Sequence, residues 1–287
     1  MNNITGKTTL ICLFGSPVRH SLSPAMHNMA FSKMQLDYCY LAFDVKKEGI
    51  EDAMKAMRLL NIRGANLTMP LKNVVLPYLD ELSPVSKISL SVNTIINDNG
   101  RLIGTTTDGK GFTGSLLFKG FDIKGKKVVI LGAGGAASAV IAEMAQEGAK
   151  EISIFQRKSA TFGKALALSN RVNEGTACKS SVFDLSDEKL LSEEISKSDI
   201  LINATNVGMG DDTGTLIKKE DIRKDLFCAD LIYSPEKTTF LKDAESIGAP
   251  FMNGKLMLLY QGAESFFLWT GRKMPVDMIR ERLFEDK

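Results

Sequence analysis

Glycine residues follow a short apolar run near the middle of the chain. The run Val128–Leu131 leads directly into Gly132, and Gly134 follows two positions later. Gly132 allows a tight backbone turn, and Gly134 lets the backbone approach a ligand with no Cβ in the way. The N–H groups that open the next helix would face that ligand and attract negative charge. These residue types at this spacing predict a binding site for the pyrophosphate of a dinucleotide.

The segments around this turn have the order of a βαβ unit. A helix is predicted from the turn to Gly148, and a second strand over Glu151–Phe155. Ala137 takes the place of a third glycine, which the dinucleotide fingerprint allows. An ordinary strand-to-helix connection is the alternative, but the order of strand, turn, helix and strand favours a nucleotide site. The residues expected to contact the dinucleotide are Gly132, Ala133, Gly134, Gly135 and Ala136.

The end of the second strand indicates which dinucleotide binds. Enzymes that use NAD usually place an acidic residue there, whereas this chain has Gln156, Arg157, Lys158 and Ser159. Two cations and no carboxylate favour the 2′-phosphate of NADP. In the alternative, Arg157 stacks on the adenine and Lys158 is solvated, so that both cofactors bind. The sequence slightly favours NADP and leaves NAD open.

Groups that could transfer a proton occur in the first third of the chain. Amide, hydroxyl and ammonium groups of Asn66, Thr68 and Lys72 end the predicted strand Ile62–Thr68, and Asp108 follows a predicted hairpin. A lysine and an aspartate that face each other form a proton-transfer pair. Spacing alone does not pair these two residues. A surface lysine and a helix-capping aspartate remain the alternative.

Strands alternate with helices along the chain, which predicts an α/β protein with parallel sheets. More than a hundred residues precede the glycine turn, and 287 residues suggest about two domains. We expect a substrate-binding α/β domain over residues 1–112, with helices of residues 255–287 packing back on it. A doubly wound parallel (Rossmann) nucleotide-binding domain is expected over residues 113–254.

Besides the strand that ends near Lys72 and a helix that starts at Ser23-Pro24, the first domain has four predicted features. They are the strands Thr9–Phe14 and Tyr38–Phe43, a core-facing helix with Ile50, Met54, Met57 and Leu60, and a hairpin that turns at Asn99-Gly100. Six strands are predicted in the second domain: Lys127–Leu131, Glu151–Phe155, Cys178–Phe183, Ile200–Asn203, Phe227–Ile232 and Pro250–Phe251.

Composition limits the partners. The net charge is +2, with 44% hydrophobic and 24% charged residues, and no concentrated basic face is evident that would favour nucleic acid or a membrane surface. Four separated cysteines and two histidines give little support for disulfides or a metal site. The segment Met1–Lys7 is polar, so we expect a cytoplasmic protein. Small molecules are the expected partners, and a homodimer is left open.

Six further motifs, taken in order, resemble those of the shikimate dehydrogenase family over nearly the whole chain. They are Gly15–Asn28, Asn66–Lys72, Ser91–Thr94, Asn203–Met209, Asp230–Tyr233 and Leu258–Ala263. The resemblance implies reversible reduction of 3-dehydroshikimate to shikimate in the chorismate pathway, with Lys72 and Asp108 as the catalytic pair. It also implies that Ser21 and Ser23 bind the substrate carboxylate. The substrate hydroxyls would be held by Asn66, Thr68, Asn93, Tyr233 and Gln261, and further cofactor contacts are implied at Thr205, Val207, Leu231 and Gly254.

Some positions depart from the family pattern. Thr106 stands where the family usually has asparagine, and Ser91 where it usually has glycine or alanine. The segment Gln156–Lys164 and Asn206 look closer to the quinate/shikimate branch, which usually has an acidic residue at Ser159. A quinate/shikimate dehydrogenase is therefore an alternative.

Two other classes of function remain open. The chain could be a nucleotide-binding sensor without catalysis, although the lysine and aspartate of the implied pair argue against it. It could also be a related dehydrogenase that acts on an aminated or folate-type substrate, although the two serines argue for a small ring acid.

Overall fold

The chain forms two compact units in this computed structural model, which describes residues 4–284. The first unit comprises Met1–Gly111 with Leu259–Lys287, and the second comprises Phe112–Leu258. The first residues of the polar N-terminal segment, 1–3, and the last residues of the expected C-terminal helices, 285–287, lie outside the described residues.

The first unit contains a mixed sheet of six strands. Its strands are β1 (Thr9–Gly15), β2 (Tyr38–Asp44), β3 (Gly64–Leu67), β4 (Glu81–Leu82), β5 (Thr94–Asp98) and β6 (Arg101–Thr105), in the order β2-β1-β3-β5-β6-β4. Its helices are α1 (Ser23–Lys33), α2 (Ile50–Leu59) and α3 (Pro84–Ser89), and α4 (Asp108–Phe118) begins in it. The strands β1, β2 and β3 are parallel, whereas β5 is antiparallel to both β3 and β6.

The second unit contains six parallel strands. They are β7 (Lys127–Leu131), β8 (Glu151–Gln156), β9 (Lys179–Asp184), β10 (Ile200–Asn203), β11 (Phe227–Asp230) and β12 (Phe251–Met252), in the order β12-β11-β10-β7-β8-β9. Four helices connect them: α5 (Gly135–Gln146), α6 (Phe162–Gly175), α7 (Glu188–Ser196) and α8 (Thr239–Ile247). This is the doubly wound order, and it confirms the predicted Rossmann fold. After the last strand come α9 (Lys255–Thr270) and α10 (Val276–Leu283).

Most predicted elements occur in the structure, with small changes at their ends. The predicted turn at Asn99-Gly100 is confirmed, because both residues have the positive φ that this hairpin requires, 51° and 92°. The predicted strand Ile62–Thr68 is too long, since only Gly64–Leu67 pairs with its neighbours. The short elements β4 and α3 were not predicted. Their sequence, in which Ser83 and Pro84 follow Leu82, has no clear strand or helix period.

The predicted core face of α2 is partly confirmed. Ile50, Met54 and Met57 are buried on this helix and pack against one face of the sheet. Their spacing of three and four residues places them on one side of the helix. Leu60 was wrongly included, because α2 ends before it and its exposed fraction is 66%.

Aromatic rings fill the core on α1, β2 and α9. The imidazole of His27 stacks on Tyr40, with ring centroids 4.5 Å apart, and also on Phe266. Trp269 donates its indole N–H to the carbonyl oxygen of Ile95 at 2.9 Å. Because a buried indole usually needs such a partner, this bond fixes α9 against β5 within the first unit.

Other features of the described residues bear on the expected partners. Cys12, Cys39, Cys178 and Cys228 are free thiols. Between residues 4 and 284, no helix is both long and apolar enough to cross a membrane.

His27 predicts how stability depends on pH. Neither ring nitrogen has a hydrogen-bond partner among the described residues, and burial lowers the pKa of His27 from 6.5 to about 3. Below its ordinary pKa the unfolded chain binds a proton at this residue, whereas the folded chain does so only near the lowered pKa. The free energy of unfolding should therefore fall as the pH decreases through this window, by about 1.4 kcal/mol per pH unit from this residue.

We expect His27→Phe to remove this contribution, as measured by urea unfolding at a series of acidic pH values. The phenyl ring keeps most of the stacking and cannot bind a proton. A variant whose unfolding free energy depends on pH as steeply as that of the wild type would contradict this interpretation.

Candidate active site

The structure pairs Lys72 with Asp108. The Nζ atom of Lys72 lies 2.5 Å from Oδ2 of Asp108, and the exposed fractions of the two side chains are 23% and 8%. Lys72 follows β3, and Asp108 is the first residue of α4. The two residues are therefore an ion pair, which their spacing in the sequence does not show. The pair has the geometry for transfer of a proton from the ammonium to a group bound beside it.

Asn93 holds the second oxygen of the aspartate. Its Nδ2 atom donates to Oδ1 of Asp108 at 2.7 Å, and its Oδ1 atom accepts from the backbone N–H of Thr107 at 2.8 Å. A backbone N–H can only donate, so this contact determines which end of the amide faces the carboxylate. Asp108 is thus held by a cation on one oxygen and by an amide on the other.

Gln261 reaches the same group from α9. Its Oε1 atom lies 3.3 Å from Nδ2 of Asn93. The structure therefore brings Lys72, Asp108, Asn93 and Gln261 together, although they are far apart in sequence. All four belong to the first unit.

The amide of Asn66 is held by protein groups. Its Oδ1 atom accepts from the hydroxyl of Tyr40 at 2.8 Å, and its Nδ2 atom lies 3.1 Å from the carbonyl oxygen of Asn93. Asn66 is also nearly buried. In this arrangement it supports the strand that carries Asn93. Thr68 lies just beyond the end of β3, where its backbone N–H donates to Phe14 and its side chain is partly exposed.

The two predicted carboxylate-binding serines lie at the start of α1. The Oγ atom of Ser21 accepts from the backbone N–H of Ser23 at 3.2 Å, which leaves the Ser21 hydroxyl hydrogen available. Both side chains are partly exposed. Burial raises the pKa of Tyr40 well above its ordinary value, against the opposing effect of a hydrogen bond with Ser23. Ser23 is therefore connected to Asn66 through Tyr40.

The two departures from the family pattern leave the ion pair intact. The hydroxyls of Ser91 and Thr106 are buried and have no hydrogen-bond partner among the described residues. Asp108 nevertheless keeps its contacts with Lys72 and Asn93. Asparagine at the position of Thr106 is thus not needed to form the pair.

The predicted glycine turn is open on its outer side. A Cβ added to Gly134 or Gly135 would meet no atom within 4 Å, and the start of α5 has no side-chain cap. Gly132 has φ +97°, and a Cβ there would lie 2.9 Å from the carbonyl oxygen of Ala204. The turn therefore needs glycine at this position. It also leaves the N-terminus of a helix free for an anion such as a pyrophosphate.

Gln156 supports this turn. Its Oε1 atom accepts from the backbone N–H of Ala133 at 3.0 Å, and its Nε2 atom donates to Thr161. Both ends of the amide are therefore occupied by protein groups. Gln156 fixes the end of β8 against the turn.

The two cations after β8 differ in their environment. Lys158 lies 3.4 Å from Asp184, and the Oγ atom of Ser159 lies 2.9 Å from the hydroxyl of Thr161. Arg157 is exposed and forms no ion pair with any residue that the structure describes. Arg157 is therefore the better placed of the two cations to bind a phosphate.

The loop after β10 is fixed by Asn203. Its Oδ1 atom accepts from both the backbone N–H and the hydroxyl of Thr205, and its Nδ2 atom donates to the carbonyl oxygen of Val207. The same Nδ2 atom lies 3.2 Å from both carboxylate oxygens of Asp230. Burial raises the pKa of Asp230, although hydrogen bonds from Ile232, Thr238 and Asn203 oppose the shift.

The remaining predicted cofactor positions lie at the end of β11 and before α9. A Cβ on Gly254 would collide with the backbone of Leu231, so the two segments can approach this closely only with glycine. Tyr233, predicted to bind substrate, belongs to the second unit and is more than half exposed. Gly254, Leu231 and Tyr233 therefore lie on neighbouring segments of the second unit.

Sequence reasoning missed several residues that build these sites. In the first unit they are Tyr40, Thr94, Thr107 and Ser265. In the second unit they are Asn203 and Asp230, which the sequence analysis placed in two motifs without assigning them the support of the loop. The available signal was a polar residue inside a predicted buried strand or helix face. No group of three or more histidine, cysteine, aspartate or glutamate residues suited to a metal ion occurs in the described part of the chain.

The sequence matches three family models. The shikimate dehydrogenase substrate binding domain matches residues 13–95, and the shikimate / quinate 5-dehydrogenase model matches residues 115–228. The shikimate 5'-dehydrogenase C-terminal domain matches residues 256–284.

Curated relatives cover nearly the full chain. The NADP(+) shikimate dehydrogenase of Listeria monocytogenes serotype 4b is 47% identical over 283 residues, which is 98% of this chain and 97% of that protein. The corresponding protein of Streptococcus uberis is 45% identical over 289 residues, covering 99% of this chain and 98% of the relative.

Solved structures are similar over the same length. A shikimate 5-dehydrogenase from Listeria monocytogenes, in complex with shikimate and NAD, is 45% identical with a TM-score of 0.96, and the match covers 99% of each chain. A quinate dehydrogenase from Corynebacterium glutamicum, in complex with NAD, is 28% identical with a TM-score of 0.86, covering 96% of this chain and 98% of the other. The family models, the curated relatives and the solved structures agree: this chain belongs to the shikimate dehydrogenase family.

Proposed function

We propose that this protein catalyses the reversible reduction of 3-dehydroshikimate to shikimate with a nicotinamide dinucleotide, and that NADP is preferred. The observation that carries the proposal is the ion pair of Lys72 and Asp108, whose aspartate is also held by Asn93. Membership of the family and 45–47% identity to NADP(+) shikimate dehydrogenases support the same reaction.

Lys72 is the proposed proton donor in the reductive direction. A dinucleotide held by the second unit would supply the hydride for the reduction. Lys72 would donate its ammonium proton to the carbonyl oxygen of the substrate. Asp108 would keep the ammonium in place and balance its charge. In the oxidative direction the substrate hydroxyl would return its proton to Lys72.

The substrate would be bound mainly by the first unit. Ser21 and Ser23 would donate hydroxyl hydrogens to the carboxylate, since each lies partly exposed at the start of α1. The ring hydroxyls are proposed to contact Asn66, Thr68, Asn93, Tyr233 and Gln261. A small polyhydroxylated acid needs several such fixed donors and acceptors for specific binding.

The dinucleotide would be bound by the second unit. Its pyrophosphate would accept from the N–H groups of the glycine turn, since this helix start is open and has no side-chain cap. Arg157 would bind the 2′-phosphate, because no described acidic side chain pairs with its guanidinium. The other proposed cofactor contacts are Lys158 and Ser159 after β8, and Thr205, Val207, Leu231 and Gly254.

The proposal also covers the cellular location, the oligomeric state and a second candidate substrate. The protein would act in the cytoplasm, in the route to chorismate, with small molecules as its partners. The homodimer considered from the sequence stays a hypothesis. Quinate is the second candidate substrate, because a quinate dehydrogenase with a TM-score of 0.86 has the same fold at 28% identity.

Replacing Lys72 tests the proposed proton transfer. We expect Lys72→Ala to lower kcat for shikimate oxidation by about 10²- to 10⁴-fold, with a much smaller change in KM. Asp108→Asn should also lower kcat, because the lysine would lose its anionic partner. The matched control is Lys55→Ala, which removes an exposed lysine paired with Glu51 in the same unit.

The control should retain the kcat of the wild type. If Lys72→Ala changed KM alone and left kcat intact, the residue would bind substrate and would not transfer the proton.

Replacing Arg157 tests the cofactor preference. We expect Arg157→Ala to raise KM for NADP by about 10-fold or more, with little effect on NAD, because only NADP carries the 2′-phosphate. Lys158→Ala should have a smaller effect, since Lys158 already pairs with Asp184. Steady-state kinetics with each cofactor would measure both effects. Equal losses for NADP and NAD would instead indicate that Arg157 stacks on the adenine.

A further inference from the structure

Ser265 is buried where four segments of the first unit meet: its own helix α9, the strands β3 and β5, and the loop before α4. It lies on α9, four residues after Gln261, and its side chain is fully buried. Its Oγ atom lies 3.1 Å from Nδ2 of Asn66, 2.8 Å from Oγ1 of Thr94 and 3.1 Å from Oγ1 of Thr107. These three partners belong to β3, to β5 and to the loop before α4. A serine within a helix can bond back to the carbonyl oxygen four residues earlier, and Ser265 also contacts these three polar side chains from other elements.

The two threonines connect Ser265 to Asn93. The hydroxyl of Thr94 donates to Oδ1 of Asn93 at 2.9 Å, and that of Thr107 donates to the same atom at 3.2 Å. Once these hydroxyl hydrogens point at Asn93, each threonine oxygen presents its lone pairs to Ser265. The Ser265 hydroxyl can then share its one hydrogen between Thr94, its shortest contact, and the carbonyl oxygen of Gln261 at 3.0 Å. It can accept from Asn66 in the same arrangement.

These hydrogen bonds determine the orientation of the Asn93 amide. Its Oδ1 atom is surrounded by donors from Thr94 and Thr107, so its Nδ2 atom is directed at Asp108. Without Ser265, the oxygen of Thr94 would lose a donor in a buried region. Thr94 could then turn to meet another donor, which would change its bond to Asn93. Buried polar groups in such networks depend strongly on one another.

We propose that Ser265 is a positioning residue for the reaction, which acts through Thr94 on Asn93 and through Asn93 on Asp108. The inference rests on the proposed function, because it concerns the same proton-transfer pair. Ser265 itself contacts neither Lys72 nor Asp108. Its role is to hold the amide that holds the carboxylate.

The same helix offers a control for the loss of a hydroxyl. Ser265 Oγ lies 3.0 Å from the carbonyl oxygen of Gln261, and Thr270 donates in the same way to the carbonyl oxygen of Phe266 at 2.7 Å. Thr270 has no contact with Thr94, Thr107 or Asn66 among its described hydrogen bonds. Thr270→Val therefore removes a comparable bond within the helix and leaves the network intact.

The first test compares steady-state kinetics of Ser265→Ala and Thr270→Val with shikimate and the preferred dinucleotide. We expect Ser265→Ala to lower kcat by about 3- to 10-fold, the effect of one hydrogen bond, with a smaller change in KM. Thr270→Val should keep the kcat of the wild type. A Ser265→Ala variant that melts at a lower temperature but has the kcat of the wild type would overturn the proposal.

A double-mutant cycle tests the route through Thr94. If Ser265 acts through this residue, the kcat loss of Ser265→Ala with Thr94→Val should be smaller than the product of the two separate losses. A multiplicative loss would overturn the route. If Ser265→Ala does not fold, Thr94→Val alone should lower kcat to a similar degree. A wild-type kcat in Thr94→Val would then overturn the proposal. A wild-type protein inactive on shikimate would instead refute the proposed function.

Discussion

A buried carboxylate must be compensated, and in this protein Asp108 is compensated on both oxygens. Lys72 supplies the opposite charge and Asn93 supplies an amide N–H. An ion taken out of water is costly unless its partners are close and well oriented. The position of the ion pair therefore depends on the elements that hold these two partners, and the first unit is arranged around that requirement.

The register of the β5–β6 hairpin holds Asn93 in the position that this ion pair requires. Thr94 lies opposite Thr105 across the pair of strands, and the backbone N–H of Asn93 donates to the carbonyl oxygen of Thr105. The chain then passes through Thr107, whose N–H reaches the Asn93 side chain, into the first turn of α4. A shift of one residue in this register would turn Asn93 to the other face of the sheet. The tight turn at Asn99-Gly100 excludes that shift.

The second unit depends on a different constraint, which is backbone proximity. Gly132 at the end of β7 lies so close to Ala204 after β10 that a Cβ would not fit without movement. Strand order changes between these two strands, and the carboxyl ends on either side of such a change form a crevice for ligands in doubly wound sheets. Asn203 and Asp230 then hold the neighbouring loop in place.

Local sequence patterns were sufficient to predict many of the strands. The strands Lys127–Leu131 and Ile200–Asn203 have the predicted bounds, because each is a short apolar run between clear turn residues. The contact of Lys72 with Asp108 was implied by family resemblance, since their spacing carries no information about distance.

The Ser265 network could not be predicted from the sequence. Its bond with Asn66 joins residues 199 positions apart. Ser265 did carry a weak signal, because it interrupts the buried stripe of Gly262, Phe266 and Trp269 on α9. Which partners it would meet depends on the tertiary packing of that helix.

The most direct measurement of the central claim is the initial rate of dinucleotide reduction by the purified protein, with shikimate or quinate and with NADP or NAD. The account predicts that kcat/KM is highest for shikimate with NADP. It would be contradicted if no combination with shikimate gave turnover, or if quinate with NAD were the preferred pair.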